Sequence, residues 1–339
     1  MSDIGPIGKV DEYLVHQAEL PLARVVSDHP DWQDRFYFNI HDAAGDFAAI
    51  TGLGAYPNRG YHQAYMFVVH NGVHYNYLNI RPLNADRDEM YAGSLRFEVI
   101  EPLKSWRLEV ADEANGIEAS LQFDARCPLY TFSPVQWQNR DRTVVNQLHY
   151  TQSGRYTGTF RIGESTWSDG LTGMRDRSWG IRAMAEVPMW IWVSAQFPTY
   201  NVTAWLWETP EGEVIHQDGA IVHESGEIQP IKTIAHELEF ASGRKCPSRG
   251  RYLFGLKSAE TAELTAEGMS AVMLGPMLGG KWDESDTELV ARADGDSFGF
   301  DQHCRFQMQN GDHGIGIIEY MFTGGVAKYS IPPAKPMAP

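Results

Sequence analysis

The 339-residue chain contains little cysteine. Its three cysteines, Cys127, Cys246 and Cys304, are far apart and form no C-x-x-C pair. Their number and spacing therefore predict neither a disulfide framework nor a zinc knuckle. We expect ordinary buried or partly buried thiols and a reducing, cytoplasmic location.

Basic charge and long apolar runs are also scarce. Lys and Arg total 28 against 44 Asp and Glu, which gives a net charge of −16. Such a surface repels phosphate backbones and anionic lipid, so we expect no nucleic-acid partner. No apolar stretch approaches the ~20 residues that span a bilayer, and the first residues lack the features of a signal peptide. We expect no stable membrane insertion, and a homodimer remains an open alternative.

Helical periodicity is weak, and one short helix over residues 259–273 is its only candidate. Instead, many short segments alternate apolar and polar residues with the period of two that is typical of strands. Asn71-Gly72, between apolar runs 65–69 and 73–77, predicts a tight hairpin. The pattern favours a mainly β protein with two antiparallel barrel or sandwich domains in tandem, over residues 1–165 and 166–330, followed by a Pro-rich tail over 331–339.

Tryptophans are concentrated on two consecutive predicted strands. Trp190 and Trp192 lie on one, Trp205 and Trp207 on the next. Residues two apart share a strand face, so pairing of the two strands would place all four indoles on one surface. We interpret this surface as the wall of an apolar ligand pocket, with an ordinary packed core as the alternative.

The segment just before these strands is dense in charge. Asp176 lies between Arg175 and Arg177, and Trp179 follows closely. One hypothesis is a cluster of polar groups at the edge of the pocket. The alternative is a buried ion-pair network that joins two domains. Neighbouring guanidinium groups favour the charged carboxylate, so Asp176 is better suited to orient a partner or act as a base than to donate a proton.

Asp176-Arg177-Ser178-Trp179-Gly180 resembles the Asp-His-x-Trp-Gly signature of the hydroxyneurosporene synthase (carotenoid 1,2-hydratase) and AttH-like superfamily. Kievitone hydratase and fungal Diels–Alderase-like cyclases are similar to this family. The resemblance implies that the two domains are lipocalin-like (calycin-type) and arranged in tandem, with a ligand cavity. Arg177 replaces the usual His, and Ala204–Trp207 offers no counterpart of the Tyr-x-Asp pair that the hydratases use. Asp176 and Trp179 are the positions that carry over.

Glu319 is a second acid candidate. On a strand it shares a face with Ile315 and Ile317, and a carboxyl held among aliphatic groups has a raised pKa. The alternative is a solvent-exposed or arginine-paired side chain.

These observations predict a lyase or isomerase, either a hydratase, a dehydratase or a cyclase. It would act without a cofactor at a C=C bond of a hydrophobic terpenoid, polyketide or prenylated aromatic. A non-catalytic carrier of a lipophilic molecule is the alternative. The candidate catalytic residues are Asp176, Arg177 and Glu319, and the candidate substrate-binding residues are Arg175, Trp179, Trp190, Trp192, Trp205 and Trp207. The histidines show no metal-binding spacing, so we expect no metal.

Overall fold

The computed structural model describes residues 7, 9–241, 246–273, 280–283 and 298–323. Within these ranges the helices are two short 3-10 turns, Lys9–Glu12 and Met184–Glu186, and strands dominate. The prediction of a mainly β fold is confirmed. The predicted tail, 331–339, lies outside the described residues.

The first thirteen strands belong to one large antiparallel sheet. They are β1 Trp32–His41, β2 Phe47–Tyr56, β3 Tyr61–His70, β4 Val73–Pro82, β5 Tyr91–Ala92, β6 Leu95–Glu101, β7 Ser105–Asp112, β8 Ile117–Ala125, β9 Tyr130–Thr131, β10 Val135–Asn139, β11 Arg142–Ile162, β12 Ser165–Trp167 and β13 Leu171–Arg182.

Eight of the later strands close into an antiparallel barrel, and the ninth, β20, pairs with β4 of the first sheet. The nine are β14 Met189–Gln196, β15 Tyr200–Glu208, β16 Val214–His223, β17 Ile228–Phe240, β18 Pro247–Leu256, β19 Thr261–Met273, β20 Gly280–Asp283, β21 Phe298–Met308 and β22 His313–Phe322. No helix in the described ranges is both long enough and apolar enough to span a bilayer.

The last strand of the first sheet, β13, pairs with β1 and β11 and ends at Arg182, and the first barrel strand, β14, begins at Met189. Residues 183–188 therefore connect the first sheet to the barrel. The domain division at 165/166 stays a prediction.

The hairpin at Asn71-Gly72 is confirmed, since both residues have positive φ, at 52° and 72°. The helix predicted over 259–273 is wrong, because 261–273 is strand β19. There Ala262, Leu264 and Ala266 face the barrel interior, and pairing with β18 and β21 outweighs the helix propensity of Ala and Glu.

Apolar side chains fill three layers. One fills the barrel interior and includes Ile191 and Leu206, and a second, including Phe36 and Phe38, lies within the curl of the first sheet. The third lies between the two sheets and includes Tyr37. All three cysteines are free and buried, as expected.

Candidate functional site

A cavity of about 300 Å³ lies between the first sheet and the outer face of the barrel. Its volume is at the lower end of the range for small-molecule sites. Its aromatic lining comes from both halves of the protein: Tyr37, Tyr56, Tyr65, Phe67, Trp190, Trp192 and Trp205. The cavity is therefore outside the barrel, whose interior is packed with apolar side chains.

Strand alternation explains how the tryptophans reach this cavity. Trp190 pairs with Trp207 and Trp192 with Trp205 across β14 and β15, so the predicted shared surface is confirmed. The residues between them, such as Ile191 and Leu206, point into the barrel. Trp207 is fully buried behind Trp205, at a ring distance of 5.0 Å, and is not among the cavity-lining residues.

Two carboxyl groups lie side by side on the barrel wall of the cavity. Asp301 on β21 and Glu319 on β22 are direct cross-strand partners. Trp190 Nε1 donates a hydrogen bond to Glu319 Oε1 at 2.6 Å, and the Tyr37 hydroxyl donates to Asp301 Oδ2 at 3.3 Å. Glu319 lies on the same strand face as Ile317, as predicted. The Glu319 side chain is part-buried, whereas Asp301 is 1% exposed.

Their environment favours the protonated state. Burial raises the pKa of Asp301 well above its usual range, and the neighbouring charge of Glu319 raises it further. Burial also raises the pKa of Glu319, although the hydrogen bond from Trp190 opposes this. Like charges placed directly opposite on two strands repel, so a pair of this kind holds a proton.

Asp176 faces the same cavity from the first sheet. Its Oδ2 lies 3.1 Å from Nε2 of His149, and both side chains are largely buried. The His149 ring stacks on Phe132 and meets Trp205 edge-on, which fixes its orientation. Asp176 and His149 thus form a close carboxyl–imidazole contact, on a different cavity wall from Asp301 and Glu319.

The predicted cluster of Asp176 with its neighbouring arginines does not form, because successive strand residues point to opposite faces. Arg175 donates two hydrogen bonds to Gln152 Oε1, at 3.0 and 2.7 Å, and Arg177 contacts Asp34 at 2.9 Å. Trp179 lies on the same face and packs edge-on to Tyr150. These three candidate residues do not line the cavity.

Several cavity-lining residues were not among the candidates predicted from the sequence. They are Arg35, Tyr37, Tyr65, His149, Arg182 and Asp301. For Asp301 a signal existed, because a two-residue period through Phe300 and Cys304 places it on the face opposite the barrel core. Among the described residues, no group of three His, Cys, Asp or Glu side chains is arranged to hold a metal ion.

The fold and the cavity together define a mainly β protein with an aromatic, acid-containing cavity between a curled sheet and a closed barrel. The chain belongs to the family described as "Family of unknown function (DUF8625)", whose model matches residues 7–278. No curated protein matches the chain.

Solved structures share this architecture at low identity. A putative AttH (NE1406) from Nitrosomonas europaea is 13% identical, with a TM-score of 0.60 over 86% of this chain and 93% of that one. Kievitone hydratase from Nectria haematococca is 12% identical, with a TM-score of 0.57 over 93% and 95%. CghA, solved with Sch210972, is 13% identical, with a TM-score of 0.54 over 87% and 89%. These likenesses confirm the fold that the signature implied, without selecting a member.

Proposed function

We propose that this protein is a cofactor-independent lyase or isomerase that acts at a C=C bond of a hydrophobic terpenoid, polyketide or prenylated aromatic. The observation that carries the proposal is the Asp301–Glu319 pair, which holds a proton at the wall of an aromatic cavity. Two structural neighbours support it by their names and titles, one as a hydratase and one as a protein solved with Sch210972.

Glu319 is the proposed proton donor because it is the less buried member of the pair. Its O–H proton passes to one alkene carbon, the π pair forms the new C–H bond, and the other carbon becomes cationic. The indole faces of Trp192 and Trp205 can stabilise that charge. Asp301 is a positioning residue: it lies directly opposite Glu319, and burial of both carboxyl groups favours a proton shared by the pair.

The cation then has three outcomes that balance atoms and charge. Loss of a neighbouring proton to the Glu319 carboxylate gives an isomer, and attack by an internal hydroxyl group, whose proton passes to the same carboxylate, gives a ring. Attack by water, with its proton taken by the Asp176–His149 pair, gives an alcohol, and the reverse is dehydration. The free, buried cysteines support a reducing, cytoplasmic location for this chemistry.

The test is turnover in D₂O with probes of the proposed class, namely geraniol, farnesol and a prenylated phenol. Deuterium bound to carbon in the product, found by mass spectrometry and NMR, is the expected result. Glu319→Gln should abolish it, whereas Glu118→Gln, an exposed glutamate paired with Arg161, should not. Saturable binding of these probes without deuterium incorporation would support the carrier alternative, and an active Glu319→Gln enzyme would eliminate Glu319 as the donor.

A further inference from the structure

Two guanidinium groups share the first-sheet wall of the cavity. Arg35 on β1 is the register partner of Ser178 on β13, and Arg182 lies at the end of the same strand. Arg182 Nη1 donates to Ser178 Oγ at 2.5 Å, and Arg35 Nη2 donates to the Tyr65 hydroxyl at 2.9 Å. Neutral hydroxyl groups thus hold both arginines in place.

Neither guanidinium forms an ion pair within the described part of the chain, whereas the part-buried Arg177 and Arg126 do. Arg177 contacts Asp34 at 2.9 Å, and Arg126 contacts Glu224 at 2.8 Å. Arg182 Nε is buried and has no hydrogen-bond partner among the described residues. A cation withdrawn from water in this way is costly unless an anion meets it.

The electrostatics of Arg182 agree with this geometry, whereas for Arg35 burial is outweighed by Tyr65 and the cavity carboxyl groups, which raise its pKa. Burial, together with the positive charge of Arg35, lowers the pKa of Arg182 to about 10. The carboxyl groups of the cavity contact other partners: Asp176 lies against His149, and Glu319 accepts a hydrogen bond from Trp190. Among the described residues, neither guanidinium is therefore paired with a carboxylate, although both line the cavity.

We infer that Arg35 and Arg182 form an anion subsite, and that the ligand is an amphipathic anion: an apolar body with a carboxylate, enolate or phenolate oxygen at one end. The substrate part of this inference rests on the proposed function. The anionic end would be anchored between the two arginines, and the apolar body would lie against the indoles, where its double bond can meet Glu319. Charge-assisted hydrogen bonds of guanidinium groups to such oxygens are short and directional.

The experiment compares two fluorescent probes that differ only in one anionic group. 1-Anilinonaphthalene-8-sulfonate carries a sulfonate, and N-phenyl-1-naphthylamine has the same skeleton without it. Both are titrated into the wild type, Arg35→Gln, Arg182→Gln and the control Arg107→Gln, an exposed arginine paired with Glu98. Each arginine variant of the cavity should weaken sulfonate binding about tenfold or more and change binding of the neutral probe less than about twofold. The control should match the wild type.

Equal affinity for the two probes, unchanged by either cavity substitution, would overturn the subsite while leaving the proposed chemistry standing. Saturation by neither probe would overturn the subsite together with the ligand cavity. If a glutamine variant does not fold, Arg35→Lys keeps the charge, and it should retain the preference for the sulfonate. Arginine-dependent sulfonate binding combined with no turnover of any alkene probe would support the subsite and reject only the chemistry.

Discussion

Asp301 and Glu319 are opposite each other on β21 and β22, and each receives one hydrogen bond from an aromatic side chain of the cavity wall. Side chains in such cross-strand positions are about 5 Å apart at their Cβ atoms, so two charges there would repel strongly. Asp301 Oδ1 is buried and has no hydrogen-bond partner in the described chain. Burial raises the pKa of both carboxyl groups and so favours a protonated acid at the cavity wall, which the proposed addition of a proton to an alkene requires.

The carboxyl pair should make stability fall as pH rises. An unfolded Asp loses its proton near pH 3.9, while burial raises the folded-state pKa of Asp301 and so retains that proton to higher pH. Between these values the unfolded chain binds fewer protons, so the free energy of unfolding drops by up to about 1.4 kcal/mol per pH unit. Asp301→Asn removes this contribution. Urea denaturation from pH 5 to 8 should show the variant gaining stability relative to wild type as pH rises.

Asp218→Asn is the control, because the pKa of Asp218 is shifted in the direction opposite to that of Asp301. Burial opposes ionisation of Asp218, but hydrogen bonds from Ser133 and Tyr130 outweigh it and lower the pKa of this carboxyl. Its contribution is fully present above the unfolded pKa, so Asp218→Asn should lose stability equally at pH 5 and pH 8. Parallel pH profiles for Asp301→Asn and wild type would contradict the assignment of the proton to the pair.

Asp176→Asn should leave the fold intact. Its carboxylate is not paired with Arg175 or Arg177, so the loss should be well below the roughly 3–5 kcal/mol of a broken buried ion pair. Turnover should nonetheless drop by about 10²-fold, because the acid–base partner of His149 is lost. Denaturant unfolding and rate measurements check both points.

Arg126→Met provides the comparison for a structural ion pair. This buried arginine bonds Glu224, Gln196 and the Tyr200 carbonyl, so its loss should cost on the order of 3 kcal/mol or more. An equal loss of stability in Asp176→Asn would restore the purely structural interpretation of that residue.

The cavity tryptophans should report a bound lipophile at contact range. Saturation with 12-bromododecanoate, whose bromine quenches only nearby indoles, should reduce tryptophan fluorescence. Replacing Trp190, Trp192 or Trp205 by Phe should shrink the quenched amplitude, while Trp167→Phe, in the first sheet against Phe47, should not. Unchanged amplitude in all three cavity variants would place the ligand elsewhere.

Gly180 is required by the backbone. Its φ is +125°, and an added Cβ would lie 2.2 Å from the Asn146 carbonyl oxygen on β11. Gly226 also has positive φ, at +100°, but an added Cβ meets nothing within 4 Å. Gly180→Ala should therefore destabilise the protein by at least about 2 kcal/mol more than Gly226→Ala, measured by urea unfolding. Equal costs would mean that the contact with Asn146 is easily relieved.

The sequence by itself determined what depends on neighbours along the chain. Alternation of apolar residues gave the strands, Asn71-Gly72 gave a hairpin, and the two-residue spacing of Trp190 and Trp192 placed both indoles on one face. The same rule placed Glu319 with Ile317. The same rule separates Asp176 from Arg175 and Arg177, because neighbouring residues on strand β13 point to opposite faces.

Only the tertiary structure decided which strand faces meet. The Arg35–Arg182 wall joins residues 147 positions apart, and the Tyr37–Asp301 hydrogen bond joins residues 264 apart. Such contacts depend on how the barrel packs against the first sheet, and no local pattern encodes that packing. The site lies between two separately filled cores because each half packs its most apolar faces within itself, and the aromatic and polar outer faces of the two halves meet at the cavity.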